Sequence, residues 1–283
     1  MLARSGVPVT LIARERNVEA IRKNGLFIDG LKIREHIAVD ATSDDREAGN
    51  ADIVLFSVKT TDTESGAKTL AASRKANATV VSLQNGIDNV ERIRAASGID
   101  AIPAVVYVGV AMVAPGHVKH SGAGNLVLGH APRSAEICAL FEQAEVPCRL
   151  SDQIDVELWE KFMLNLAYNA ISALTQATYG RIAEDSRSRA VVELAVHEVV
   201  RVANARGVPL DTHKMIEKAI GLSKIIPQAT SSTAQDIARG ARTEIDSLNG
   251  YLFKLGQQLG IPVPVNETLY ALVKLRETTS SSP

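Results

Sequence analysis

The chain has 283 residues, of which 46% are hydrophobic and 22% are charged, and its formal net charge is -1. This length suffices for one large or two medium domains with cores of their own, and the composition is ordinary for a soluble globular protein. The near-neutral charge gives no electrostatic case for binding nucleic acid or an anionic membrane. An anionic ligand must therefore be held by local charges.

The cysteines and the apolar segments bear on the compartment. Cys138 and Cys148 are the only cysteines, and two lone thiols suit a reducing cytoplasm better than a disulfide framework. The first residues, MLARSGVPVTLIAR, lack a secretory hydrophobic region and a cleavage site. The longest charge-free run, from Phe162 to Gly180, contains Asn, Ser, Thr and Gln, which is not typical of a membrane span. The sequence therefore predicts a cytoplasmic protein without a membrane partner.

The first half of the chain alternates strand and helix signals. Short apolar runs suited to buried strands occur at 9–13, 52–58, 79–83 and around 104–108. Helices are predicted at 17–23, 61–73 and 88–97, with Asn17 as the first cap and Gly25 just past that helix's end. This alternation implies βαβ units and a mostly parallel sheet.

Turn signals add shorter strands to this half. Leu26 to Val39 looks like a hairpin around Asp29-Gly30. Residues 109–130 are predicted to hold two short strands around Pro115-Gly116 and Gly122-Ala123-Gly124. Together the elements predict an α/β domain over residues 1–150.

After Leu150 the strand signals stop. Helices are predicted over 152–178, 187–206, 211–220, 242–260 and 266–277. Residues 151–283 are therefore expected to form an all-helical second domain, whose apolar character favours a homodimer. The tail TTSSSP is expected to fray.

A polar stripe interrupts the most apolar of these helices. In the stretch 158–175, LWEKFMLNLAYNAISALT, the residues Lys161, Asn165 and Asn169 follow one another at i, i+4 and i+8. This spacing places them on one face of a helix. Polar groups on an apolar helix must meet water, a partner element or a ligand. The alternatives are a snorkelling lysine with asparagines that bond neighbouring backbone, or a binding site.

Polar side chains also follow the predicted strands. Arg14 ends the first predicted strand and Arg16 follows two residues later, while Lys59 ends the second and Asn85 ends the third. Ligands of open α/β sheets bind at the carboxyl ends of strands, and an arginine after the second strand of a dinucleotide fold accommodates the 2′-phosphate of NADP. Surface charges and an Asn-Gly turn are the alternative interpretation.

The segment from Ser231 to Asp246 carries two more candidates. Ser232 and Gln235 match a capping box, and a cap hydroxyl beside free helix amides also suits a carboxylate. Glu244 is predicted to lie in the first turn of a long helix, where the helix dipole favours a negative charge. His117 and His120 do not complete a metal site, so no metal is predicted.

At this point the motifs add up to a family. The chain resembles ketopantoate reductases (2-dehydropantoate 2-reductases) over nearly its whole length. The matching motifs, in order, are VTLIAR, FSVKTTDT, SLQNGIDN, PGHVKHSGAGNLVLG, LWEKFMLNLAYNAISALT, SSTAQDIARGARTEIDSLNG and GIPVPVN. The resemblance implies an N-terminal Rossmann domain and a C-terminal helical domain like that of 6-phosphogluconate dehydrogenase, with the active site in the cleft between them.

The resemblance also implies an activity and a set of roles. The reaction would be the NADPH-dependent reduction of 2-dehydropantoate to (R)-pantoate in pantothenate biosynthesis. Lys161 would be the proton donor, with Glu244 in contact with substrate or cofactor. The remaining implied positions are Asn165, Asn169 and Ser232 on the substrate, and Arg14, Lys59, Asn85 and Ala111 on the cofactor. Tyr179 and Ala229 lie where some members place further asparagines, so a related 2-oxo acid is an alternative substrate.

One departure from the family pattern concerns the cofactor. The family begins with a hydrophobic strand and a G-x-G-x-x-G loop, whereas MLARSG matches only the end of the helix that follows. Without that central strand, the sheet is expected to split into two parts with unpaired edges. We expect either that the true start lies upstream, or that the chain is a non-catalytic relative without a working cofactor loop.

Overall fold

A computed structural model describes residues 1–280. The chain divides into two compact units, Met1–Ile154 and Asp155–Pro283. The first is an α/β unit, and the second is helical, as the sequence predicts. Among the described residues, no helix is both long enough and apolar enough to cross a membrane.

The first unit contains strands and helices in alternation. Its strands are β1 (Thr10–Ile12), β2 (Leu26–Gly30), β3 (Arg34–Ile37), β4 (Asp40–Thr42), β5 (Ile53–Phe56), β6 (Thr79–Ser82), β7 (Ile102–Ala114), β8 (His117–Gly129) and β9 (Cys148–Ser151). Its helices are α1 (Glu15–Asn24), α2 (Thr63–Ser73), α3 (Asn89–Ser97) and α4 (Ser134–Gln143). Short 3-10 turns occur at Ala3–Ser5, Asp45–Asn50 and Thr60–Asp62.

The strands of the first unit form two separate sheets. Strands β1 and β4 pair in parallel as a two-stranded sheet. The other seven form a mixed sheet in the order β3-β2-β8-β7-β6-β5, with β9 beside β8. Within it, β5, β6 and β7 are parallel, whereas β7 and β8 are antiparallel. The division confirms the expectation that the sheet is split, with β5 at one edge of the larger part.

The core lies on both faces of β6. Val81 packs on one face with Ile137 and Phe141 of α4, and Val80 packs on the other with Ile93 of α3. Val80, Val81 and Ile93 are at most 1% exposed. Alternate residues of a strand point to opposite faces, so two adjacent valines bury into both layers. This double burial explains the continuous apolar run TVVSL.

Three predictions about the first unit need correction. The hairpin of β2 and β3 turns at residues 31–33, because Asp29 and Gly30 still belong to β2. Asn17 is not the cap of α1, because the helix begins at Glu15 and Asn17 lies inside it, although Gly25 ends it as predicted. Residues 102–129 form one long hairpin with its turn at Pro115-Gly116. Gly122-Ala123-Gly124 is an irregularity inside β8, where the register shifts and Ala123 has a φ of 53°. Such bulges need positive φ as turns do.

The second unit consists of helices. They are α5 (Ile154–Thr175), α6 (Tyr179–Glu184), α7 (Ser186–Ala205), α8 (Thr212–Ile225), α9 (Ser232–Ala238), α10 (Asn249–Leu259) and α11 (Pro264–Ser280), with a 3-10 turn at Ile245–Ser247. Helix α5 is the most deeply buried, with Phe162, Met163 and Leu166 at most 1% exposed. The part of the predicted tail up to Ser280 continues α11, and residues 281–283 lie outside the described chain.

Two predictions about the second unit also need correction. The cap of α9 is Ser231, whose hydroxyl oxygen accepts from the amide of Ala234 at 3.0 Å, so the capping box does not start at Ser232. Glu244 does not lie in the first turn of a long helix. It precedes the 3-10 turn, and α10 begins only at Asn249.

Candidate active site

The first part of the site is the polar stripe of α5. This helix runs through Ile154–Thr175 without Gly or Pro and buries apolar residues on almost every side. Lys161 and Asn165 are half-buried, and Asn169 is 2% exposed. The stripe therefore leads from a partly accessible lysine to a fully buried carboxamide.

The surroundings of Lys161 lower its pKa. Burial lowers the pKa of Lys161 to about 8, and the carboxylate of Glu244 opposes part of that shift. Removal from water disfavours the ammonium, whereas a nearby negative charge favours it. At neutral pH the amine is mostly protonated, yet it releases its proton far more readily than an ordinary lysine. A pKa near the working pH is what general acid catalysis requires.

Asn169 is held from two directions. The hydroxyl of Tyr179 donates to its Oδ1 at 3.5 Å, and the hydroxyl of Ser231 donates to its backbone carbonyl at 3.2 Å. Tyr179 stacks on Tyr168 with ring centroids 4.6 Å apart. Burial raises the pKa of Tyr179 to about 12, so this hydroxyl stays protonated. The amide of Asn169 is thereby oriented with its Oδ1 towards Tyr179.

Ser232 lies next to this group of residues. It is the first residue of α9 and is exposed, whereas its neighbour Ser231 is 1% exposed and carries the cap. The amide of Ser231 donates to the hydroxyl of Ser172 on α5 at 3.2 Å, which ties the start of α9 to α5. The hydroxyl of Ser232 is thus not used as the helix cap.

In the first unit, the predicted cofactor residues lie after strand ends on two sheets. Arg14 is exposed and immediately precedes α1, after β1 of the small sheet. Lys59 and Asn85 follow β5 and β6, which pair in parallel in the large sheet. Ala111 lies on the part of β7 that pairs with β8, opposite Lys119. An exposed guanidinium at a strand end beside a helix start has the charge and position that suit an anionic ribose phosphate.

A buried polar network holds the two loops that carry Lys59 and Asn85. The side-chain amide of Gln84 donates to the carbonyl of Val58 at 3.0 Å and to the hydroxyl of Thr63 at 2.8 Å. The side-chain amide of Asn89 donates to the carbonyl of Asn85 at 2.6 Å. Buried polar groups with satisfied partners fix backbone geometry strongly. Both loops are therefore rigidly placed.

The sequence analysis did not identify Gln84, Thr63 and Asn89 as residues of this hydrogen-bond network. The available signal was a glutamine and an asparagine inside SLQNGIDN, directly after a strand buried on both faces. Within the described residues, no group of three or more His, Cys, Asp or Glu side chains is arranged to hold a metal ion.

Two family models match the chain, one over most of the first unit and one over most of the second. Residues 1–133 match the family described as Ketopantoate reductase PanE/ApbA, and residues 153–277 match the one described as Ketopantoate reductase PanE/ApbA C terminal. A Rossmann-like unit followed by a helical unit is the arrangement of a class of two-unit oxidoreductases. Within that class, the chain belongs to the ketopantoate reductase family.

Individual relatives agree with this assignment. The 2-dehydropantoate 2-reductase of Halobacterium salinarum is 32% identical, with 98% of this chain and 93% of the relative covered. A crystal structure of a PanE/ApbA family ketopantoate reductase from Ralstonia eutropha has 43% identity and a TM-score of 0.93, with 99% of this chain and 94% of that chain covered. D-mandelate dehydrogenase, solved with NADH and anilino(oxo)acetate, shares the fold at 21% identity, with a TM-score of 0.92 and coverage of 99% and 94%.

Proposed function

We propose that this chain reduces 2-dehydropantoate to (R)-pantoate with NADPH, a step of pantothenate biosynthesis. The observation that carries the proposal is Lys161, an amine in an apolar helix whose pKa is lowered to about 8 beside Glu244. The relatives named 2-dehydropantoate 2-reductase support the substrate. The exposed Arg14 after β1 supports NADPH, because a guanidinium pairs well with a 2′-phosphate.

The residues of the second unit suit the reduction of a ketone. When bound, a reduced nicotinamide supplies a hydride to the ketone carbon, and negative charge then builds on the carbonyl oxygen. The ammonium of Lys161 stabilises that charge and donates its proton to the oxygen. Asn165 and the oriented amide of Asn169 position the substrate, and the hydroxyl of Ser232 holds its carboxylate. In the first unit, Lys59, Asn85 and Ala111 are assigned to the cofactor.

The test of this function is a binding and turnover experiment. The chain is extended at its N-terminus by the strand and G-x-G-x-x-G loop of the family pattern and titrated with NADPH and with NADH while nicotinamide fluorescence is followed, with the 283-residue chain titrated in parallel. A panel of 2-oxo acids is then assayed with the extended chain. We expect saturable binding of NADPH in preference to NADH, and the highest kcat/KM with 2-dehydropantoate. A higher kcat/KM with another 2-oxo acid would change the substrate. The absence of saturable binding would favour the alternative, a non-catalytic relative.

The pH dependence of reduction follows from the tuned amine. The acid must be protonated to act, so kcat for reduction is expected to be high below pH 8 and to fall as the pH rises through about 8. The falling limb should have a slope of about one proton, since one group is responsible. Rates measured from pH 6 to pH 10 check this, and a flat profile across that range would exclude Lys161 as the proton donor.

A further inference from the structure

The carboxylate that tunes Lys161 lies in a segment without regular helix. Glu244 falls between the end of α9 at Ala238 and the start of α10 at Asn249, where only Ile245–Ser247 form a 3-10 turn. Such a segment leaves its side chains mobile unless other contacts fix the backbone. The contacts that fix it come from α11.

The first anchor precedes Glu244 in the chain. Thr243 is fully buried, and both its backbone amide and its hydroxyl donate to Oε1 of Glu277, at 2.9 and 2.7 Å. The same hydroxyl oxygen accepts from the amide of Ile245 at 3.2 Å. The residues on both sides of Glu244 are therefore held through a single buried hydroxyl.

The second anchor follows Glu244. Asp246 accepts from the hydroxyl of Tyr270 at 2.8 Å and from the ammonium of Lys274 at 3.0 Å. Lys274 also pairs with the other oxygen of Glu277 at 2.8 Å, which joins the two anchors on α11. Burial opposes ionisation of Asp246 and Glu277, but the hydrogen bonds outweigh it and hold the pKa of each carboxyl below its usual value.

We propose that Thr243 and Asp246, held by Glu277, Tyr270 and Lys274 of α11, are positioning residues that keep the carboxylate of Glu244 in place to act on Lys161. If these hydrogen bonds served only to pack α11 against the rest of the unit, they would not need to involve the residues on both sides of Glu244. Here two consecutive anchors enclose that residue, and the group it acts on is the amine of α5. The inference rests on the proposed function only for the catalytic use of that amine.

A titration of Lys161 tests the positioning without turnover. The protein is labelled with [13Cε]lysine, the Lys161 resonance is assigned from Lys161→Met, and its pKa is measured in the parent and in five variants. Because Glu244 raises the pKa of Lys161, Glu244→Gln is expected to lower it. Thr243→Val removes the buried hydroxyl at nearly constant volume and should lower the pKa by about 0.5, a part of the ~1–3 that a nearby opposite charge contributes. Thr243→Ser should restore the original value.

The double variant decides whether the effect passes through Glu244. In the Glu244→Gln background, Thr243→Val is expected to leave the pKa of Lys161 unchanged, because the charge that it positions is gone. Thr268→Val, which loses a hydroxyl bond to Pro264 elsewhere on α11, is the matched control and should leave the pKa unchanged.

Two outcomes would overturn the inference. One is that Thr243→Val shifts the pKa of Lys161 by the same amount with and without Glu244. The other is that Thr243→Val lowers the melting temperature but does not shift the pKa of Lys161. The proposed function fails separately, when the pKa coupling is present but no 2-oxo acid is reduced. Conversely, turnover of 2-dehydropantoate without the coupling would leave the function standing and remove the positioning role.

Discussion

Replacement of Lys161 with alanine is expected to lower kcat for the reduction of 2-dehydropantoate by about 10²- to 10⁴-fold, the usual contribution of a positioned general acid. The substrate carbonyl would then lose both its charge partner and its proton source. Steady-state rates with saturating NADPH measure the effect. Lys161→Arg should also be slow, because a guanidinium stays charged and does not release a proton near neutral pH.

Replacement of Lys161 with methionine is expected to raise the stability of the folded chain. Because the pKa of Lys161 is about 8 in the folded chain in place of 10.5, the folded chain binds protons less readily than the unfolded chain. The resulting destabilisation has its full size below pH 8, about 3 kcal/mol for a shift of this size. It disappears as the pH rises above the pKa that Lys161 has in the unfolded chain. Lys161→Met keeps the length of the side chain without its charge, so it should raise the free energy of unfolding at pH 7.

The matched control is Lys214→Ala, which removes an exposed lysine from α8 in the same unit. It should change neither rate nor stability by a measurable factor. A Lys161→Ala variant with unchanged kcat would remove this residue from the mechanism. A Lys161→Met variant that is less stable than the parent at pH 7 would contradict the lowered pKa of Lys161 in the folded chain.

How far the sequence predicts the structure depends on whether a signal is local. Helix α5 is predictable because an uninterrupted apolar stretch without Gly or Pro can hardly form another element. The i, i+4, i+8 spacing then places Lys161, Asn165 and Asn169 on one face without knowledge of any partner. The split of the sheet is also predictable, because the central strand of the dinucleotide fold has no counterpart among the motifs of this sequence.

The bulge in β8 shows where local signals become ambiguous. Gly122-Ala123-Gly124 reads as a turn, yet it lies within a continuous strand where Ala123 and Gly124 have φ values of 53° and 141°. A turn and a bulge both need positive φ, and glycine supplies it in either case. Only the pairing of β7 with β8 on both sides of the irregularity distinguishes them, and that pairing is non-local.

Contacts between distant residues account for the other errors. The sequence predicts a helix through Glu244 because the helical pattern continues through it, whereas Thr243 and Asp246 are bound by side chains of α11 more than 20 residues away. Gln84 supports its loop through Val58 and Thr63, which are 26 and 21 residues earlier. The roles of such residues depend on the tertiary fold, so their own neighbourhood in the sequence does not reveal them.

The second large effect is expected at Glu198, a buried carboxylate on α7. It is 4% exposed, its Oε1 accepts from the amide of Val265 at 2.9 Å, and its Oε2 accepts from the backbone and side-chain amides of Asn266 at 2.9 and 2.8 Å. Glu198 therefore caps the first turn of α11 from another helix. Glu198→Ala leaves these donors unsatisfied, so we expect a loss of about 3–5 kcal/mol in the free energy of unfolding.

Trp159, the only tryptophan, is buried in α5 and reports on the second unit in urea titrations. Glu193→Ala is the control on the same helix, because its exposed pair with Arg189 should be worth less than about 1 kcal/mol. Glu198→Gln keeps one acceptor but turns an amide donor towards other donors, so an intermediate loss is expected. A loss below about 1 kcal/mol for Glu198→Ala would mean that water or a shifted backbone satisfies the freed amides. Helix α11 also carries Tyr270, Lys274 and Glu277, so its loosening should lower the pKa of Lys161 together with the stability.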